Sequence, residues 1–246
     1  MEVSVSNDSP LDWRSFVMTE ANFNLEQLRL GAVLIFDKPF SWSSFKLVKK
    51  VKYLCKANRV GHAGTLDPLA TGLMVICTGK CTKMIESLQA IDKTYTGQFN
   101  FGKSTPSHDL ETEFDHTYPY EHIQEQDIQS LVQSTIGVVY QTPPVYSAIK
   151  VNGTRAYKMA RQGKTVEIKS RPISIYDFKV SGSLPELQFE VRCSKGTYIR
   201  TLTDDFAKQL QSGAYLTELR RTAIGELKIE HAWHLEKFEA LCRRES

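Results

Sequence analysis

Thr94-Tyr-Thr-Gly-Gln-Phe-Asn-Phe101 puts Tyr95, Gly97, Phe99 and Phe101 on one side of an extended chain and Thr94, Thr96, Gln98 and Asn100 on the other. Successive side chains of a strand point to opposite faces, so this period of two predicts a half-buried strand with Tyr95 on the same face as Phe99 and Phe101. Leu187 to Cys193 alternates in the same way, and Val145–Val151, Asn152-Gly153 and Thr154-Arg155 read as a hairpin whose Asn-Gly turn supplies the positive φ angles. Ala32 to Phe36, stopped by Asp37-Lys-Pro39, and Leu73 to Cys77 are continuous apolar runs that predict buried strands. Helices fall between them: Ser43 or Ser44 caps one with Phe45, Val48, Val51 and Leu54 or Cys55 inward and Lys46, Lys49, Lys50, Lys52 and Lys56 outward. Others are expected at Thr82 to Ala90, at Glu125 to Ile136, and after Thr197 with Ile199, Leu202, Phe206 and Leu210 inward and Gly213 as the stop. Leu216 to Ile229 reads as a turn and strand bearing Arg220 and Arg221. Hairpins and helices without regular βαβ alternation predict an α+β fold around a largely antiparallel sheet.

The chain has 246 residues, of which 41% are hydrophobic and 24% charged, enough for a sizeable core and unlike a disordered or fibrous composition. Residues 1–28 show little periodicity and are expected to form a poorly ordered N-terminal arm, with one domain over 29–246. No apolar run approaches the roughly 18 residues of a membrane span, and the N-terminal stretch is acidic and polar, which predicts an unexported, cytoplasmic protein. The five cysteines are odd in number and lack zinc-ligand spacing, so free thiols and no metal are expected. Charge is segregated. Lys38 to Arg59 holds seven basic residues and no acid, and Lys150 to Arg171 holds seven basic residues against Glu167 alone, while Asp109 to Asp127 is acidic. Such segregation suits a polyanion on one face, although ordinary solvated helix faces give the same pattern.

The remaining singular stretch is Gly61-His-Ala-Gly-Thr-Leu-Asp-Pro-Leu-Ala-Thr-Gly72. It matches neither a phosphate-binding GxxxxGK[ST] loop, nor GxGxxG, nor the Gly-x-Ser-x-Gly of a serine nucleophile, and the six histidines show no HExxH or deaminase pattern. What is left is a lone carboxylate, Asp67, among small and polar residues. Taken singly, Asp67-Pro68 is an ordinary turn, His62 an ordinary loop residue, Tyr95 a core tyrosine and Arg200 a solvated arginine.

Read together, GHAGTLDPLATG at 61–72, DKP at 37–39, DKTY at 92–95 and CSKGTYIR-TLTDD at 193–205 resemble the TruB family of tRNA pseudouridine synthases, over about Gly31 to Ile229. The resemblance implies a pseudouridine synthase fold, a long, largely antiparallel mixed sheet flanked by helices, with a basic inserted lobe at about 143–171 that grips RNA. It implies isomerisation of uridine 55 in the TΨC loop of tRNA, without cofactor or metal, by a protein expected to be a monomer. Asp67 then matches the catalytic aspartate, Tyr95 the tyrosine that stacks on the target base, and Arg200 the arginine that pairs with the catalytic carboxylate. Tyr198 and Leu219 match pocket walls, His62 the histidine that dislodges loop nucleotides, and Lys38 and Lys83 positions near the RNA backbone. Ser41 stands where the family has glycine, and Thr105-Pro-Ser-His-Asp109 keeps one acid of the family's TDTxDxxG loop. The residues after Ala232 are too few for the C-terminal PUA domain that many members carry. Breaking the N-glycosidic bond and joining C5 to C1′ needs an ionised carboxylate, which acts either as a nucleophile or as a base on the ribose. A close arginine keeps such a carboxylate charged.

Overall fold

The structure is a computed structural model, and it describes residues 12–147, 149–151, 153–156, 159, 162 and 168–245. The chain divides into two compact units, residues 1–90 with 227–246, and residues 91–226, inside what the sequence suggested as one domain. The fold is α+β, and every strand pair between named strands given below is antiparallel.

In the first unit, β1 (Val33–Lys38) and β2 (Val60–His62) both pair with β3 (Thr71–Thr78), β1 from Val33 opposite Cys77 to Lys38 opposite Gly72. β1 and β3 are the two apolar runs of the sequence. They are buried on both faces, and Leu34, Phe36, Met74 and Ile76 share a core with helix α2 (Ser44–Cys55) and the C-terminal helix Leu235–Arg244. Trp233 and Phe238 close that core edge-on, with Phe36 and Phe238 ring centroids 5.0 Å apart. Burying each such side chain contributes about 1.5–3 kcal/mol.

Three expectations change here. Residues 12–28 are not a loose arm. Trp13–Phe16 forms a 3-10 turn, Val17 bridges to Val33, Leu25 and Leu28 of helix α1 (Leu25–Leu30) are buried, and Trp233 Nε1 donates to the Met18 carbonyl at 2.9 Å. These pieces are too short to show a period in sequence. Phe45 is not on the inner face of α2: Ser44, Leu47, Val48, Val51, Leu54 and Cys55 form the buried stripe, and Phe45 is 63% exposed. The segment predicted as a helix from Thr82 is a 3-10 helix, Gly79–Met84, running into α3 (Ile85–Ala90).

The second unit holds β4 (Lys93–Phe101), the short strands β5 (Lys103–Ser104) and β6 (His116–Thr117), β7 (Gly137–Gln141), the two-residue strands β8 (Lys150–Val151) and β9 (Thr154–Arg155), β10 (Arg171–Ser183), β11 (Glu186–Cys193) and β12 (Ala214–Ile224), and its main strand order is β12–β4–β11–β10–β7. The alternation read in β4 is borne out, since Tyr95, Phe99 and Phe101 are buried and Thr94, Thr96, Gln98 and Asn100 are half-buried. Helices α4 (Glu125–Thr135) and α5 (Ile199–Gln209) belong to this unit, and Phe206 of α5 meets Phe99 and Phe178 at 6.0 and 5.6 Å. α5 is buried well beyond the expected Ile199, Leu202 and Phe206, because Arg200, Thr201, Thr203 and Asp204 are inside as well. The hairpin expected at Asn152-Gly153 pairs Lys150 with Arg155 and Val151 with Thr154, around Gly153 at φ +80°. Asn152 and the lobe residues Lys158, Arg161 and Lys164 lie outside the described residues.

Candidate active site

The loop that carries Asp67 is built by its neighbours in the first unit. β2 ends at His62, opposite Ile76, and Ala63 N–H extends the ladder to the Val75 carbonyl at 2.9 Å. Gly64, at φ +97°, then turns the chain out of the sheet in a conformation that side chains with a Cβ resist. Pro68 follows Asp67 in a turn closed by Ala70 N–H donating to the Asp67 carbonyl at 3.1 Å, a position that suits the fixed φ of proline. Ala63, Leu66 and Ala70 are buried anchors, whereas Asp67 itself is half-buried.

Two side chains clamp the residues flanking Asp67. Ser44 Oγ donates to the Leu66 carbonyl at 2.8 Å and accepts the Leu66 N–H at 2.9 Å. Lys38 Nζ donates to the carbonyls of Trp42 (2.6 Å), Pro39 (3.0 Å) and Pro68 (3.3 Å). The sequence reading weighed Ser44 only as a helix cap, a task that Ser43 performs by accepting the Lys46 N–H at 3.1 Å. Lys38 is fully buried, so its geometry is that of an internal brace rather than of a phosphate contact. Lys83 is exposed on its 3-10 helix and His62 is half-buried on β2. Ser41, which stands where the resemblance puts a glycine, has φ +62°, in the left-handed region that glycine favours.

In the second unit, Tyr95 lies opposite Val191 on one side and Arg221 on the other, and the Arg221 guanidinium carbon is 6.0 Å from its ring centroid. Arg221 is buried, as is Lys93 two residues before Tyr95. Burial, reinforced by the charge of Arg221, pushes the Lys93 ammonium down to about 8, and its Nζ donates to the Ile91 carbonyl. Leu219 stands opposite Gly97, where β12 passes so close that a Cβ on residue 97 would lie 2.2 Å from the Glu218 carbonyl oxygen and 2.7 Å from Phe189 Cζ.

Arg200 is the other fixed charge of this unit. Its Nη1 donates to the Ser107 carbonyl at 2.7 Å, its Nη2 to the Tyr146 carbonyl at 3.1 Å, and its Nε lies 3.6 Å from Asp109 Oδ2. Asp109, the acid retained in the altered loop, is thus a buried partner of Arg200, and its Oδ1 also accepts the Glu111 N–H at 3.0 Å. One turn further along α5, Asp204 holds His108 Nδ1 at 3.2 Å and Lys208 Nζ at 2.6 Å. Burial pushes the Asp204 carboxyl up, but His108 and then Lys208 outweigh it and hold the group below its usual value. Tyr198, at the N-terminus of α5, is pinned through its backbone by Gln141, whose side chain accepts its N–H at 2.8 Å and donates to its carbonyl at 3.0 Å. In the sequence Gln141 was visible only as a polar residue, Arg221 only as an arginine on a strand, and Asp109 only as the acid kept in the altered loop. Nothing local marks the long-range partners that bury them.

These elements permit an ionisable carboxylate on a braced loop in one unit, and a buried aromatic ring with fixed guanidinium groups in the other. Among the described residues, no group of three or more His, Cys, Asp or Glu is arranged to hold a metal ion, and no helix is long and apolar enough to cross a membrane.

Residues 52–199 match the family model for TruB family pseudouridylate synthase, N-terminal domain. The tRNA pseudouridine synthase B of Flavobacterium johnsoniae is 51% identical over 222 residues, covering 87% of this chain and 97% of that protein. That of Phocaeicola vulgatus is 49% identical over 215 residues, covering 85% and 92%. Among solved structures, a Cbf5-Nop10-Gar1 complex superposes with a TM-score of 0.64 at 25% identity, over 87% of this chain and 54% of that one. The archaeal box H/ACA sRNP Nop10-Cbf5 complex gives 0.66 at 21% identity over 90% and 57%, a likeness of fold. The chain spans a little over half the length of those two solved chains.

Proposed function

Because the chain belongs to the TruB family of pseudouridylate synthases, we propose that it converts uridine 55 in the T arm of tRNA to pseudouridine, with Asp67 as the catalytic carboxylate. The protein is a pseudouridine synthase, an isomerase that modifies tRNA. What carries the assignment of Asp67 is the bracing of its loop: Ser44 fixes residue 66, Lys38 fixes residue 68, and the carboxylate between them is left half-buried. RNA binding alone has no use for an anion held so firmly in a polyanion's path, whereas glycosidic bond cleavage does.

Tyr95 is assigned to stack on the extruded base, a contact worth about 1–3 kcal/mol. By the resemblance, Arg200 is assigned to pair with the catalytic carboxylate, Tyr198 and Leu219 to wall the pocket, and His62 to help displace the nucleotide from its loop. Extruding the target costs a few kcal/mol, which these contacts offset. The N1–C1′ bond breaks, the uracil turns, and C5 joins C1′; the C5 hydrogen is released to water and N1 takes up a proton from it, so atoms balance without an oxidant.

Tritium release from a T-arm stem-loop labelled at uridine C5 tests the reading. Wild-type protein is expected to release tritium, and Asp67→Ala to lose about 10²–10⁴-fold or more in rate while still binding the RNA. Binding without release by the wild-type protein would reduce the chain to an RNA-binding module.

A further inference from the structure

The outward face of α2 is unlike an ordinary solvated helix face. Phe45, Lys46, Lys49, Lys52, Tyr53 and Lys56 are all exposed, Phe45 by 63% and Tyr53 by 77%. At 100° per residue these six positions fall within an arc of about 120°, opposite the buried stripe. The stripe interleaves four lysines with two aromatic rings, and the chain from 38 to 59 contains no acid. Lys46 Nζ lies 4.0 Å from the Trp42 ring centroid and Lys49 Nζ 4.8 Å from that of Phe45, so cations and rings already form one surface. Among the described residues the ion pair on this helix belongs to Lys50, off the stripe, which meets Glu239 at 2.7 Å.

Standing alone, this arrangement is unfavourable. Lys46–Lys49, Lys49–Lys52 and Lys52–Lys56 are like-charge neighbours three or four residues apart, each costing about 0.2–0.5 kcal/mol. Lys46 also sits in the first helical turn, against the positive end of the helix dipole. A polyanion reverses both costs. The stripe begins at Phe45 and Lys46, next in sequence to Ser44, whose side chain on the inner face is hydrogen-bonded to Leu66 beside Asp67, and it runs along the outer face for about 15 Å to Lys56, the C-cap of the helix.

We propose that this face of α2 is an RNA-contact surface for nucleotides flanking the target, in which Lys46, Lys49, Lys52 and Lys56 take phosphates and Phe45 and Tyr53 stack on exposed bases. The proposal rests on the assignment of Asp67 as the site of reaction only for its location, since the charge and ring pattern stand without it.

The test is equilibrium binding of full-length tRNA and of a T-arm stem-loop to the intact chain, followed by fluorescence anisotropy at several salt concentrations. The quadruple variant K46Q/K49Q/K52Q/K56Q is expected to bind at least tenfold more weakly near 0.1 M salt. Its log–log salt slope is expected to be shallower by about 3, at 0.7–0.9 per phosphate contact. F45S/Y53S is expected to lose about fivefold or more in affinity with the slope unchanged. In turnover assays both variants should raise KM for RNA and leave kcat near the wild-type value. All six positions are exposed, and a thermal midpoint close to wild type shows that the fold is kept. Unchanged affinity and slope in the quadruple variant would assign the stripe to a different partner and overturn the proposal. Binding is read without turnover, so a failure of the Asp67 assignment stays distinguishable from a failure of this one.

Discussion

Asp67 stood out in the sequence because its setting is contiguous: glycine, histidine, proline and the acid lie within twelve residues of one another and form one of the four motifs that together carry the resemblance. The residues that fix it were not, because the bracing runs through space. Ser44 reaches a backbone 22 residues away and Lys38 one 30 residues away. Serine at the start of a helix already has an adequate local explanation as a cap, and that explanation hid the longer contact. The same holds for Asp109, whose place in an acidic segment suggested a solvated face although Arg200 buries it. Ser44→Ala removes both hydrogen bonds to Leu66 and leaves a buried N–H without its acceptor, which costs about 1–3 kcal/mol. Urea denaturation should show that loss. Because Asp67 is the next residue, single-turnover tritium release should fall by about ten- to a hundredfold, the effect of displacing a catalytic group by about 1 Å. A stability loss with an unchanged single-turnover rate would mean that Asp67 takes its position from elsewhere in the loop.

At the scale of elements, periodicity located β1, β3, β4, β11 and β12 and the helices α2, α4 and α5, passed over β2, β7, α1 and the C-terminal helix Leu235–Arg244, and misjudged which way Phe45 faced. The helical spacing of α2 allows Phe45 to be grouped with Val48 and Val51, but Ser44 and Leu47 take the inner positions and turn Phe45 to solvent. A small serine reads as polar in sequence, and only the contact with Leu66 makes it an inward residue. The loop after β4 shows the opposite case. Its departure from the family pattern gave no hint that Arg200 and Asp204, one turn apart on α5, each hold it, through Ser107 and Asp109 and through His108. Gly97 joins both themes, as a glycine in mid-strand that the alternation simply counted among the inward positions. There β12 and Phe189 approach the β4 backbone too closely for any side chain, and β12 is irregular between Leu216 and Glu218 opposite this point. Gly97→Ala forces the Glu218 carbonyl or the Phe189 ring aside, an overpacking cost of about 1–3 kcal/mol. It also disturbs Leu219, assigned to the pocket wall. A fall in the urea midpoint of corresponding size, together with a raised KM for the stem-loop, is expected. A variant as stable as the wild type would show that β12 moves freely at this point.

For the whole molecule, the α+β class followed from strands and hairpins that each showed a local pattern, while the division into two compact units did not, because the C-terminal segment 227–246 returns to residues 1–90 across the length of the chain. The titration of the buried groups is a property of the same kind, set by the sum of the packing. Lys93 gives up its proton near pH 8 when folded, against an ordinary value of 10.5. Below pH 8 both states hold that proton, and the cost of burying the charge is fully present. Between about 8 and 10.5 only the unfolded chain holds it, so stability rises with pH, by up to about 1.4 kcal/mol per unit. The buried thiols act in the opposite sense. Burial pushes Cys81 and Cys193 up to about 11 and Cys77 and Cys242 up to about 12, from an ordinary value of 9.0. From about pH 8 the unfolded chain begins to shed thiol protons that the folded chain retains, and above pH 9 stability falls as several groups oppose one. Resistance to urea should therefore stay nearly level from pH 7.5 to about 8.5, where the two effects offset each other, and decline steeply beyond pH 9. Lys93→Met should be the more stable protein at pH 7.5 and should already decline between 7.5 and 8.5, because the offsetting rise is gone. A Lys93→Met midpoint as level as that of the wild type over 7.5 to 8.5 would place the titrating group elsewhere than at the buried Lys93 ammonium.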